Sequence, residues 1–111
     1  MKKGIVLVVF FSIFSISLMA HPPKSVTVTY NEGKLKIVAV HKVQDPTTHY
    51  IKTITISVDG KVVKELAYTS QTSAEEQNVE ASLPDIKAGS TIKVKASCNR
   101  FGSGSGELKV Q

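Results

Sequence analysis

Ile51-Lys52-Thr53-Ile54-Thr55-Ile56-Ser57-Val58-Asp59-Gly60-Lys61 decides the fold of this 111-residue chain. Ile54, Ile56 and Val58 alternate with threonine and serine, the period-2 pattern of a strand with one buried face. Ile51 falls out of that phase, which predicts a bulge near Lys52-Thr53. Asp59-Gly60 follows at once. This dipeptide favours the type I′ turn of a two-residue hairpin, where both central residues take positive φ. Residues 61–68 then form the partner strand.

The same pattern extends in both directions. Residues 25–30 and 34–40 alternate around Asn31-Glu32-Gly33, a second hairpin with glycine at the positive-φ position. Residues 78–83 and 91–98 alternate again, separated by the stop Pro84-Asp85 and a turn at 87–90. Residues 102–106 read as a flexible loop and 107–110 as a short closing strand. After residue 20 no stretch carries helical periodicity. Seven short strands with turn signals about every 8–12 residues predict an all-β, immunoglobulin-like β-sandwich.

Residues 1–20 stand apart. Lys2-Lys3 precede an apolar run over 4–14, and Ala20 ends the segment with a small residue suited to signal-peptidase cleavage. The rival is an uncleaved anchor, because the run approaches the ~18–20 residues that span a bilayer. Cleavage leaves residues 21–111 as one domain with nothing to insert stably in a membrane, and predicts a periplasmic or secreted protein. Without Lys2 and Lys3 the formal charge falls by two, from +5 to +3. The remaining basic residues alternate with apolar ones along the strands. No basic block interleaves with aromatics, which argues against nucleic-acid binding.

Cys98 is the only cysteine, so no internal disulfide can form. It shares the inward parity of Ile92, Val94 and Ala96, at the end of its strand. Three readings stand open: an inert core thiol, an intermolecular disulfide, or a metal thiolate. The three histidines, His21, His41 and His49, each fall near a strand end or in a loop. Loops of a sandwich gather at its two ends, so these residues can share one end with Cys98. Imidazole nitrogen and thiolate sulfur suit iron, zinc and copper. Asp45, Glu75 and Glu76 are too isolated for an acid–base pair, and no Ser-His-Asp arrangement emerges. Lys42 reads as a solvated loop lysine beside His41, Tyr50 as packing, and Asn99 as a hydrogen-bonding neighbour of the sulfur.

Four stretches, His21-Pro22-Pro23, His41 with His49-Tyr50-Ile51, Val58-Asp59-Gly60-Lys61 and Cys98-Asn99-Arg100-Phe101-Gly102, resemble the superoxide reductase (desulfoferrodoxin, neelaredoxin) family. They occur in the family's order across residues 21–111. The resemblance implies an immunoglobulin-like sandwich with a mononuclear non-haem iron centre, held by four histidines and an axial cysteine thiolate. His21, His41, His49 and Cys98 match the first three histidines and the cysteine. Phe101 stands where the family's Cys-Asn-x-His-Gly signature has its fourth histidine. Lys42 replaces the usual proline after His41, and the loop to His49 is longer. Met19-Ala20 stand where the family often has Glu-Lys.

The expected function is therefore an exported superoxide-reductase-like iron protein, reducing superoxide to hydrogen peroxide or acting in related electron transfer. The His₃Cys set equally suits zinc or copper, which leaves a non-catalytic metal-binding sandwich as the alternative. A sulfur-carrier-type interaction module with a structural Cys98 is the third reading, and whether the chain is an enzyme stays open. Its partners would be superoxide or another small molecule, an electron-donor protein that the sequence does not name, and a second copy of the chain if it oligomerises. Cleavage after Ala20 would also give His21 a free amine beside its imidazole, a donor to replace the one lost at Phe101.

Overall fold

The computed structural model describes residues 22–111; the expected signal peptide and His21 lie outside them. Seven strands follow in order: β1 (Ser25–Asn31), β2 (Lys34–Val40), β3 (Ile51–Val58), β4 (Lys61–Ala67), β5 (Glu76–Ser82), β6 (Thr91–Cys98) and β7 (Ser103–Lys109). They form two antiparallel sheets, β1-β2-β5 and β4-β3-β6-β7. The chain is thus a seven-stranded β-sandwich. The fourth strand pairs with β3, whereas a constant-type immunoglobulin domain places its fourth strand beside the fifth. Among the described residues no helix is long and apolar enough to cross a membrane.

The core is the inward phase of the strands. Leu35, Ile37 and Ala39 of β2 meet Ile51, Ile54 and Ile56 of β3 and Ile92, Val94 and Ala96 of β6, all fully buried. Burying each isoleucine or leucine is worth about 1.5–3 kcal/mol. Residues between them on the same strands face outward and are mostly polar. That alternation is why the register cannot slip by one residue without exposing the core.

Both predicted hairpins take the type I′ form. Glu32 and Gly33 have φ of 50° and 80°, and Asp59 and Gly60 have 50° and 87°. The predicted bulge is present as well. Ile51 pairs with Cys98 and Thr53 with Ser97, so Lys52 is the extra residue, and Ile51 and Ile54 both turn inward. A second irregularity at Ile56/Ser57, in the pairing with β4, leaves Val62 and Val63 exposed on that edge strand.

One sequence expectation is corrected. Residues 103–106 are no loop: Ser103 to Lys109 pair with β6 along its length. Local glycine and serine content suggests flexibility, but tertiary contact explains it instead. A Cβ on Gly104 would sit 3.1 Å from the Pro23 ring, and one on Gly106 would collide with the Val26 carbonyl oxygen. The glycines let β1 and its lead-in lie directly across β7.

Candidate metal centre

One end of the sandwich gathers the 41–49 loop, the β4–β5 loop, the 98–102 turn and the lead-in to β1. His41 follows β2, in the three-stranded sheet. Its N–H donates to the Glu75 carbonyl at 2.9 Å, which extends the β2–β5 ladder by one residue and carries the side chain inward. The ring is 1% exposed. His49 and Cys98 come from the other sheet, at the start of β3 and the end of β6, and both are half-buried.

The 41–49 loop closes on Asp45. Its carbonyl accepts N–H bonds from Thr48 at 3.1 Å and His49 at 3.0 Å. Its carboxylate accepts the Thr47 hydroxyl at 2.7 Å and backbone N–H at 3.0 Å. These two donors, the hydroxyl foremost, hold the exposed Asp45 carboxyl below its ordinary 3.8. His49 is therefore presented by a closed turn.

His49 Nε2 lies 3.2 Å from Cys98 Sγ. The His41 and His49 rings meet edge to face, with centroids 4.9 Å apart and planes at 86°. One ligand atom from each of His41, His49 and Cys98 lies within 4.8 Å of the other two. A shared transition-metal ion bonds nitrogen at about 2.0–2.1 Å and sulfur at about 2.3 Å, which puts neighbouring donors roughly 3–4 Å apart. Side-chain movement of about 1 Å closes the remaining gap. Two imidazoles and a thiolate also form a donor set for iron, zinc or copper, so these residues fit such an ion.

The surrounding hydrogen bonds hold the cluster in place. Arg100 N–H approaches the Cys98 sulfur at 3.4 Å. The Asn99 side chain accepts from Tyr50 N–H at 2.9 Å and donates to the Thr48 carbonyl at 3.1 Å, gripping the backbone on both sides of His49. Asn99 N–H donates to the Tyr50 carbonyl at 2.9 Å as well. The sequence placed Asn99 beside the sulfur; its amide oxygen is 4.0 Å from Sγ, and its strong bonds go to the 48–50 backbone.

Gln71, in the β4–β5 loop, is the residue the sequence did not single out. Its Oε1 lies 2.8 Å from His41 Nδ1 and accepts from Ile51 N–H at 3.1 Å. Its Nε2 donates to the carbonyls of His41 at 2.8 Å and Ser73 at 3.0 Å. Its N–H donates to the Pro46 carbonyl at 2.9 Å. A glutamine within Ser70-Gln71-Thr72-Ser73 carries no pattern that separates it from solvated loop, yet it is 6% exposed.

Of the four expected ligands, His41, His49 and Cys98 converge, and His21 lies outside the described residues. Its neighbour Pro22 packs on Gly102, where a Cβ would come within 2.8 Å of the Pro22 backbone. Phe101, which the sequence resemblance sets where a fourth histidine would be expected, is 64% exposed. Lys42, Gln44, Asp45, Thr48, His49 and Arg100 line a surface depression on the outer side of the cluster. A scan against protein-family models, a search of curated proteins and a search of solved structures each found no match for this chain.

Proposed function

We propose that this chain is an exported mononuclear metal protein of the superoxide-reductase type, with His41, His49 and Cys98 holding iron and His21 completing the set. The observation that carries the reading is the convergence of two imidazoles and the only thiol, from opposite sheets, within 4.8 Å. The sequence resemblance adds the choice of iron and of superoxide. A bound ferrous ion would supply the electron that, with two protons, converts superoxide to hydrogen peroxide.

The chain's own residues contribute three things. His41, His49 and Cys98 supply the donors, and the Arg100 N–H gives the thiolate a hydrogen bond. Lys42 and Arg100 put two positive charges around the depression beside His49, with Asp45 as one opposing charge. Such a surface draws small anions. The exposed Phe101 supports the second reading, a zinc or copper protein without catalysis, because no fourth imidazole comes from that turn.

Metal analysis and an absorption spectrum of the iron-loaded protein test the proposal. One iron per chain, a thiolate-to-iron charge-transfer band that disappears in Cys98→Ala, and superoxide consumption that disappears in His49→Ala are expected. Bound zinc or copper with no superoxide consumption selects the second reading. No bound metal of any kind removes both.

A further inference from the structure

Gln71 makes four side-chain hydrogen bonds, and three of them involve backbone groups whose roles are beyond dispute. Ile51 N–H can only donate, and the carbonyls of His41 and Ser73 can only accept. Turning the amide over would set its NH₂ against an N–H and its oxygen against two carbonyls. The orientation is therefore decided without reference to the imidazole. Oε1 is an acceptor, and the atom 2.8 Å from it, His41 Nδ1, must carry a proton. In a neutral ring the lone pair then resides on Nε2.

We propose that Gln71 is a positioning residue that locks His41 in the Nδ1–H tautomer and so assigns Nε2 as its metal-binding nitrogen. The site is built for this. His41 is 1% and Gln71 6% exposed, so water does not compete for the bond. Gln71 also ties His41, Pro46, Ile51 and Ser73 together, which fixes its own position from three segments of the chain. The inference rests on the metal reading only for the use made of Nε2; the tautomer itself belongs to the metal-free protein.

Nitrogen-15 NMR of the full chain, freed of metal with a chelator, reads the tautomer from the shifts of the two ring nitrogens. The expected result is a protonated Nδ1 and, in the neutral ring, an unprotonated Nε2 at His41. A protonated Nε2 beside an unprotonated Nδ1 overturns the proposal. Gln71→Glu retains the acceptor and keeps the Nδ1–H signature, while Gln71→Leu loses it. An unchanged tautomer in Gln71→Leu also overturns the proposal.

Zn²⁺ affinity, measured by competition with a chromogenic chelator, supplies the second readout. Gln71→Leu lowers it roughly 10–100-fold, the usual cost of losing an outer partner of a ligating histidine. Gln77→Leu controls for loop damage. Gln77 is also buried, and its side chain bonds to the backbone of Thr72 and Ser70 in the same loop. Equal losses in the two variants overturn the positioning role. If the wild type binds neither Zn²⁺ nor iron, the metal reading falls, and with it the assignment of Nε2 as a ligand.

Discussion

His49 Nε2 lies 3.2 Å from Cys98 Sγ across 49 residues of sequence, because the start of β3 and the end of β6 pair antiparallel at Ile51 and Cys98. The Lys52 bulge lets Ile51 face the core beside this pairing, and bulges next to functional sites commonly re-aim a strand end in this way. Imidazole and thiol are thus joined by sheet geometry, with the 98–102 turn added as a brace.

Removing either partner should abolish metal binding while leaving the sandwich folded. Cys98→Ala and His49→Ala are both half-buried positions outside the apolar core. Their loss of metal affinity should exceed the roughly 10–100-fold that outer partners cost. Equilibrium dialysis gives the affinity, and far-ultraviolet circular dichroism reports the retained β-structure.

Asn99→Ala should act on His49 at a distance. It orphans Tyr50 N–H and one bond to the Thr48 carbonyl. The expected stability loss is about 1–3 kcal/mol. Metal affinity should drop by about tenfold with the same donor atoms and the same absorption band, since the ligands stay and only their presentation loosens. Urea unfolding and the metal titration measure the two effects.

Gly102→Ala should disrupt the lead-in to β1. Gly102 has φ of +94°, and a Cβ there meets the backbone of Pro22 at 2.8 Å. Left-handed strain alone costs about 1–3 kcal/mol, and a backbone clash adds to it. Faster amide exchange over residues 24–26 locates the damage. Exchange unchanged from the wild type would mean that Pro22 can move away at little cost.

Ile54→Ala should cost about 2–5 kcal/mol, because Ile54 is fully buried between the sheets. Val62→Ala, at a 59% exposed edge position, should stay within about 0.5 kcal/mol of wild type. Thermal unfolding of the pair checks that the inward phase of β3, and not its edge partner, carries the core.

Asp45 should titrate below 3.8, because Thr47 donates two hydrogen bonds to the charged form. A depressed carboxyl stabilises the fold above its unfolded value, and this contribution fades as pH falls through the folded one. Carboxyl NMR should show the midpoint rising toward 3.8 in Thr47→Val. The 41–49 turn should loosen only at acid pH.

Much of the architecture was legible in local pattern. The alternation in 51–58, the Asp59-Gly60 and Glu32-Gly33 turns and the bulge at Lys52 all follow from which side chains must face inward and which backbones accept positive φ. The same reasoning put His41 and Cys98 at strand ends and His49 at the close of a loop. Residues 103–106 misled it, because glycine in a flexible loop and glycine under a crossing strand look identical in one dimension.

The sequence by itself therefore determined most of the strands, their turns and the two residue types with metal chemistry. Only the tertiary structure decided that β5 joins β2 and β6 joins β3, that β7 begins at Ser103, that Phe101 faces solvent, and that Gln71 and Asn99 brace the two histidines. The division has one physical cause. Strands and turns are selected by burial and backbone sterics within a few residues. A polar loop side chain acquires its role only when distant backbone donors and acceptors close around it, and hydrogen-bond partners 30 or 51 residues away leave no local periodicity to read.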